Sequence, residues 1–322
     1  MKTFKSFLAP LFEQYFVYRE NLGYTTKTTM ANLKVFDRYV KGKKIEKGLF
    51  TPSFFLELRA DLKLEARSIN RVLSSVRVFF HFLVRNGIYE KNPLQDIPLL
   101  PENEIIPFLF SPKQIDQLLK QVCQKISKDK RCYLKDLSQY MAMVLIARCG
   151  LRLSEPLRLT RNQYRQDEKT LYIEKTKFKK DRLIPVPMAV ATEMENYLAV
   201  RDTLLGNYHI THLLIGDHRG RLQKNAVTYT FRKIVKDIGI EQPRRVIGHT
   251  NFSSPTVHSL RHSFAVNTLK RIKEQGKSPQ NALPVLAVYM GHSEYKHTVK
   301  YLKMIDANQR RGLLEFVLTK SR

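Results

Sequence analysis

Four side chains near the C-terminal end of this chain have the types and the order that attack on a phosphate needs. His258 and Arg261 lie in Pro255-Thr-Val-His-Ser-Leu-Arg-His-Ser-Phe264, His292 lies in Met290-Gly-His-Ser293, and Tyr301 follows nine positions later. A phenol can serve as a covalent nucleophile, and a cation and imidazoles can hold a phosphate while it is attacked. Upstream, Arg152 follows an apolar run in Cys149-Gly-Leu-Arg-Leu-Ser-Glu155, and Lys177 sits in the charged turn Lys175-Thr-Lys-Phe-Lys-Lys180. Singly these are weak signals, because a lone Arg or Lys on a basic chain is usually a solvated charge and a lone Tyr is usually core.

The composition says whose phosphate this would be. Lys and Arg number 56 against 29 Asp and Glu, a net charge of +27 over 322 residues. A surplus of that size attracts polyanions and makes their binding salt-dependent, whereas solubility alone needs far less imbalance. Nucleic acid is therefore the expected partner. No stretch of eighteen apolar residues and no lipidation motif points to a membrane, and the N-terminal Met1-Lys-Thr-Phe-Lys-Ser-Phe7 does not read as a secretory signal. Cys123, Cys132 and Cys149 form no Cys-x-x-Cys pair and suit a reducing cytosol. His258 and His262 have the i, i+4 spacing of metal ligands, but no third ligand or His-Glu-x-x-His pattern accompanies them, so no metal is expected and His262 reads as structural. No phosphate-binding Gly-x-x-x-x-Gly-Lys-Ser/Thr loop occurs, so no ATP or other cofactor is implied.

The elements that would position these groups fall into two domains. In residues 1–91, Leu8, Leu11/Phe12 and Tyr15 recur at helical spacing, as do Leu33, Phe36 and Val40. Thr51-Pro52 opens a third helix with Phe55, Leu58 and Leu62 inward. Ser68 is expected to cap a fourth, with Ile69, Val72/Leu73, Val76, Phe79/Phe80 and Leu83 on one face. Residues 92–107 carry Pro93, Pro98, Pro101 and Pro107 without periodicity and read as a linker. The second domain, 108–322, opens on the capping box Ser111-Pro-Lys-Gln114. A helix ending near Cys149 follows, then a hairpin of Thr170–Glu174 and Arg182–Val186 around the lysine turn, then a third strand at His212–Ile215. Helical patterns cover Met188–Arg201, Ala226–Ile238 and Leu260–Lys273. The expected fold class is a mostly α N-terminal domain followed by an α+β domain with a small antiparallel sheet.

Taken in order, Gly-Leu-Arg-x-Ser-Glu155, the hairpin lysine before Lys180-Asp-Arg-Leu-Ile-Pro-Val-Pro187, His-x-Leu-Arg-His-x-Phe-Ala265, Gly-His-Ser293 and the downstream tyrosine resemble the tyrosine recombinases, the phage-integrase-type site-specific recombinases. The likeness runs through the whole second domain. Ile69–Pro93, with Phe79-Phe-x-Phe-Leu83 and Asn92-Pro93, resembles the family's core-binding domain. The resemblance implies a DNA breaking-rejoining fold and assigns roles by position. Arg152 and Arg261 match the two arginines on the non-bridging oxygens, where the planar guanidinium fork stays charged as charge accumulates. Lys177 matches the acid for the leaving 5′-oxygen, with Lys175 and Lys179 as register alternatives. Beside two arginines its pKa is expected to fall. His258 matches the histidine that helps accept or hold a proton, His292 the one that hydrogen-bonds the phosphate, Glu155 a supporting carboxylate, and Tyr301 the nucleophile. Tyr289 and Tyr295 are the competing phenols, the first read as packing and the second as too close to His292.

The activity implied is DNA strand exchange through a 3′-phosphotyrosyl intermediate and a free 5′-hydroxyl, in a homotetramer on two duplexes. The partner would be duplex DNA with a specific recombination site, accessory proteins remain open, and the location would be the cytoplasm at the nucleoid. The alternatives are type IB topoisomerase-like relaxation, which shares the chemistry, and a non-catalytic DNA-binding or architectural protein. The long segment Lys270–Gln280 resembles the transposon-encoded branch, as a lengthened helix or basic loop. A terminal helix at 305–322, containing the apolar run Gly312–Leu318, is a candidate for docking into a neighbouring protomer.

Overall fold

In the computed structural model the described residues are 4–45, 48, 50–174, 181–292 and 294–305. The chain divides into two compact units, Met1–Asn103 and Glu104–Arg322.

The first unit is helical: α1 (Ala9–Asn21), α2 (Lys27–Gly42), α3 (Pro52–Asp61) and α4 (Ala66–Arg85). The apolar stripe expected on α4 is buried along its length, from Ile69 to Leu83. It meets Phe12 and Tyr15 of α1, Leu33 and Phe36 of α2, and Phe55 of α3 in one core. That core is largely aromatic. Phe80 lies edge-on to Phe55 at 5.2 Å and to Tyr89 at 5.0 Å, the geometry favoured by ring quadrupoles. Thr51 and Pro52 begin α3 as expected. The cap of α4 is Glu65 and not Ser68, because the chain turns helical one residue after extended Glu65 and Ser68 already lies in the first turn.

The stretch expected as a linker is bound to this unit over much of its length. Leu94 and Ile97 enter the core, and α4 grips the backbone beyond them. Arg77 donates to the Leu94 and Ile97 carbonyls, and Asn70 bonds both the Leu100 carbonyl and amide. The division between units falls after Asn103.

The second unit begins with β1 (Glu104–Ile106), then α5 (Pro112–Gln124) and α6 (Lys130–Cys149). Both bonds of the Ser111–Gln114 capping box are formed. The last turns of α6 are buried on nearly every side, which makes it the central helix. Gly150 ends it with φ of 61°, and a Cβ there would lie 2.4 Å from the Phe264 ring. Next come β2 (Tyr164–Arg165), β3 (Thr170–Ile173) and β4 (Arg182–Pro185), an antiparallel sheet with Leu171 opposite Ile184 and Ile173 opposite Arg182. The helices α7 (Met188–Leu205) and α8 (Lys224–Asp237) precede β5 (Arg245–Ile247), β6 (Thr250–Phe252), α9 (Val257–Glu274) and α10 (Pro279–Met290). Residues 296–305 are helical.

Two features differ from expectation. His212–Ile215 forms no strand: Leu213–Ile215 is buried throughout, and single bridges join His212 to Thr160 and Ile215 to Arg221. A second sheet, unforeseen, orders β1-β6-β5, with β1 parallel to β6. Most of the extra segment after Arg261 is helix, since α9 runs to Glu274 and α10 starts at Pro279.

Candidate active site

The second unit gathers its polar groups where α6, β4, α9 and α10 end or begin. Glu155 is the centre, 3% exposed. Its carboxylate accepts from the Arg152 amide at 2.8 Å and the Arg152 guanidinium at 2.9 Å. It takes two further bonds from Arg182, at 3.2 and 2.9 Å, and Arg261 stands 3.9 Å away. Burial works to raise the Glu155 pKa, but the Arg182 hydrogen bonds and charge outweigh it, helped by the Arg152 amide and the Arg261 charge. The net direction is downward, so the carboxylate is ionised. One buried anion thus organises three guanidinium groups, each of which would be costly to bury alone.

The C-terminus of α10 holds the same cations from the other side. Gly291 adopts φ of 65°, which ends the helix and turns its last carbonyls toward the arginines. Arg261 donates to the Met290 carbonyl and to the Gly150 carbonyl, both at 2.6 Å, and Arg152 donates to the Gly291 carbonyl at 2.5 Å. Orphan carbonyls at a helix end carry partial negative charge and suit cations. Arg261 is 1% exposed, and burial with the neighbouring Arg152 pushes its pKa down to about 10, so it remains charged at neutral pH. A guanidinium has five N–H donors. The bonds described use two on Arg152 and two on Arg261, leaving others for an anion.

Tyr301 stands beside this cluster, 3% exposed, on the helical residues 296–305. Ala265, Leu269, Leu286 and Met290 pack in the same small core. Its hydroxyl is 3.1 Å from His262 Nδ1, and its ring stacks on that of His292 at 6.1 Å. Burial raises the Tyr301 pKa, while the Arg261 and Arg152 charges pull against it. His292 Nδ1 is bonded to the buried Thr298 hydroxyl at 2.8 Å, which fixes the ring and leaves Nε2 for another partner. Burial, then Arg261 and Arg152, push the His292 pKa down to about 3. His258 lies in the first turn of α9, between the capping-box residues Thr256 and Ser259. Its side chain opens to solvent, yet the packed protein on its other side and the Arg261 and Arg152 charges press its pKa down to about 4. The charges are the more durable cause, because an open ring keeps much of its hydration.

Arg152, Glu155, His258, Arg261, His292 and Tyr301 are therefore brought to one place. Lys177, with its alternatives Lys175 and Lys179, lies outside the described residues, as do the turn around it and nearly all of the terminal helix 305–322. Tyr289 is tied elsewhere, its ring stacked on Phe264 and its hydroxyl bonded to the Pro185 carbonyl. Tyr295 is half exposed.

Two site residues escaped the sequence reading. Arg182 is 9% exposed, donates to the Tyr289 carbonyl at 2.9 Å, and packs its guanidinium where a Cβ on Gly291 would lie 2.7 Å from Nη1. The signal was present: on the alternating strand it shares a phase with buried Ile184 and Val186, so an arginine pointed inward. His262 has the spacing of a metal ligand with His258 but no third ligand in the sequence, which points to a structural role. Its bond to Tyr301 depends on how residues 296–305 return to α9, which spacing does not reveal.

Comparison with known proteins gives a consistent result. Residues 109–307 match the phage integrase family, and residues 24–87 match the phage integrase N-terminal SAM-like domain. The putative integrase/recombinase y4rE of Sinorhizobium fredii is 27% identical over 305 residues, 94% of this chain and 93% of that protein. Tyrosine recombinase XerD of Lacticaseibacillus casei is 27% identical over 248 residues, 77% and 75% of the two chains. Among solved structures, a lambda integrase dimer bound to a core site superposes with a TM-score of 0.65 at 17% identity, covering 89% of this chain and 96% of that one. The Tn1549 transposon integrase in complex with a circular intermediate DNA does so with 0.65 at 18% identity, covering 95% and 99%. At that identity the structures speak for the fold.

Proposed function

The chain belongs to the phage integrase family, the tyrosine recombinases, and from that premise we propose that it is a site-specific DNA recombinase whose nucleophile is Tyr301. The observation that carries this reading is the convergence of Arg152 and Arg261 on Glu155 and on the end of α10, beside a buried tyrosine. The scissile phosphate of duplex DNA would bring its non-bridging oxygens to the free N–H donors of the two arginines, with His292 Nε2 as a further donor. Tyr301 Oη attacks phosphorus, the bond to the 5′-oxygen breaks with its electron pair, and Lys177 supplies that oxygen with a proton. The products are a 3′-phosphotyrosyl bond and a free 5′-hydroxyl, which can reseal to the same or another strand.

Charge on the phosphate oxygens rises as phosphorus becomes five-coordinate, so preorganised cations stabilise that state more than the ground state. Fixed side-chain cations do here what divalent ions do in many phosphoryl-transfer enzymes. His258 helps accept or hold a proton, and Glu155 keeps the arginines aimed. The first unit reads as a core-binding domain that carries most of the segment 92–107, and the second as a catalytic domain. The terminal segment 305–322 would dock into a neighbouring protomer of a homotetramer on two duplexes at the nucleoid.

The test captures the natural site and the chemistry together. The full chain is incubated with a library of nicked duplexes carrying a randomised segment, and covalent adducts are recovered under denaturing conditions and sequenced. Wild type is expected to enrich one site, and Tyr301→Phe to give no adduct. An adduct from Tyr301→Phe, or none from wild type, overturns the assignment. Relaxation of a supercoiled plasmid carrying two copies of that site, without joined recombinant products, would favour the topoisomerase reading instead.

A further inference from the structure

Among the described residues, the hydrogen-bond partner of the Tyr301 hydroxyl is His262, not the histidine that the family order singles out. His262 Nδ1 lies 3.1 Å from Tyr301 Oη, within reach for direct proton transfer. His258, one turn earlier on α9, meets the His262 ring edge-on at 4.5 Å. The other neighbours of the tyrosine are engaged elsewhere: His292 Nδ1 with Thr298, and Arg261 with the Met290 and Gly150 carbonyls.

We propose that His262 is a further catalytic residue, the group that takes the phenolic proton of Tyr301 as its oxygen bonds to phosphorus. The inference rests on the reading of Tyr301 as nucleophile. The accepting nitrogen, Nδ1, carries the lone pair, and the ring hydrogen sits on Nε2. As the Oη–P bond forms, the O–H pair stays on Oη and the proton passes to Nδ1, leaving an imidazolium. The P–O5′ bond breaks, its pair goes to O5′, and a proton arrives there from Lys177. In resealing the imidazolium returns its proton to Oη as the phosphotyrosyl bond breaks.

The surroundings explain why this base works only with DNA in place. From α9 His258 and Arg261 face His262, and His292 and Tyr301 face it from beyond α10; burial with the His258, Arg261 and His292 interactions pushes its pKa down to about 3. Tyr301 sits above its ordinary value of 10.0. In the free protein the lone pair is thus open but the proton stays on the phenol. A phosphodiester between Arg152 and Arg261 brings one negative charge and gains a second at the five-coordinate stage. That charge opposes the arginines' effect on His262, so accepting the proton becomes favourable when there is a phosphate to attack.

The duplex recovered by wild-type capture is the probe, made once with its natural 5′-bridging oxygen at the scissile position and once with sulfur there. A thiolate departs without a proton, so the sulfur duplex relieves any defect in the leaving-group acid but none at the nucleophile. His262→Gln keeps a hydrogen-bond acceptor near Oη and cannot take a proton. It is expected to form adduct on the order of 10²–10⁴-fold more slowly on both duplexes, while binding the intact duplex as wild type does. His262→Ala should be slow in the same way and be accelerated by free imidazole, a comparison made within one variant. Wild-type rates from His262→Gln, or restoration of its rate by the sulfur duplex, overturn the proposal while leaving Tyr301 intact. If wild type forms no adduct, the nucleophile reading falls and this one with it.

Discussion

The aromatic core of the first unit and the polar cluster of the second are both dry and are built of opposite materials. Around Phe80 in the first unit stand the rings of Phe36, Phe50, Phe55, Phe79 and Tyr89. Around Glu155 in the second, three arginines meet one carboxylate and four carbonyls at the ends of two helices, and Arg261 is as dry as Phe80. Rings gain by leaving water, in any arrangement that fills space. Charges lose by leaving water and are tolerated only when each is met by a partner at the right distance. The first core therefore supplies stability with wide tolerance, and the second supplies fixed donors at a cost in stability.

The sharpest way to break this comparison is at Arg261. Arg261→Lys keeps the charge and loses the fork, and adduct formation is expected to fall by about 10²–10³, the scale of losing a preorganised donor. Single-turnover trapping measures it, and a loss under tenfold would mean that the buried guanidinium serves the fold alone. Phe80→Ala tests the other side. It should destabilise the first unit by about 3–5 kcal/mol in denaturant unfolding while the second unit's transition stays in place. A shared shift of both transitions would show that the units do not keep separate accounts.

Acid should separate the two cores as well. The pKa values of His262 and His292 lie near 3 in the folded chain against 6.5 for an ordinary imidazole. A depressed imidazole means that the unfolded chain binds the proton first, so the stabilisation is full above about pH 6.5 and is lost as pH falls below it. Glu155, also depressed, adds a loss of the same sign at lower pH. The expected decline for the second unit is about 1–2 kcal/mol per histidine between pH 6.5 and about 5, read as a fall in its unfolding midpoint. The ring-filled first core should move less. The smallest effect is expected at Ser111→Ala, which removes the exposed α5 capping box, whose two bonds involve Gln114 alone. It should cost about 1 kcal/mol and leave trapping rates unchanged.

How much of this was legible in the sequence depended on whether the signal was local. The α4 stripe, the Ser111 box and the β3–β4 hairpin follow from periodicities within a few residues, and they stand where the spacing puts them. The sheet β1-β6-β5 was invisible because three residues cannot show alternation, and Glu104 pairs with Thr250 far along the chain. His212–Ile215 misled because an unbroken apolar run fits a buried connection as well as a strand. Leu94 and Ile97 hid between prolines, where two apolar residues make no period. In the site, order along the chain pointed to Arg152, Glu155, Arg261, His292 and Tyr301. Arg182 needed strand phase to be applied to a charged residue, and His262 needed the fold itself.

The span of the arginine cluster also has a meaning in time. Its bonds join Arg182 to Glu155 across 27 positions, Arg261 to Gly150 across 111 and Arg152 to Gly291 across 139. Contacts so distant are slow to form, since loop closure must precede any gain from them. A chain still on the ribosome can complete its first unit early, but it cannot seat either arginine until Met290 and Gly291 have emerged. A polypeptide cut short before α10 ends thus has affinity for polyanions without the means to cleave them, and synthesis itself withholds the reaction until α10 is complete.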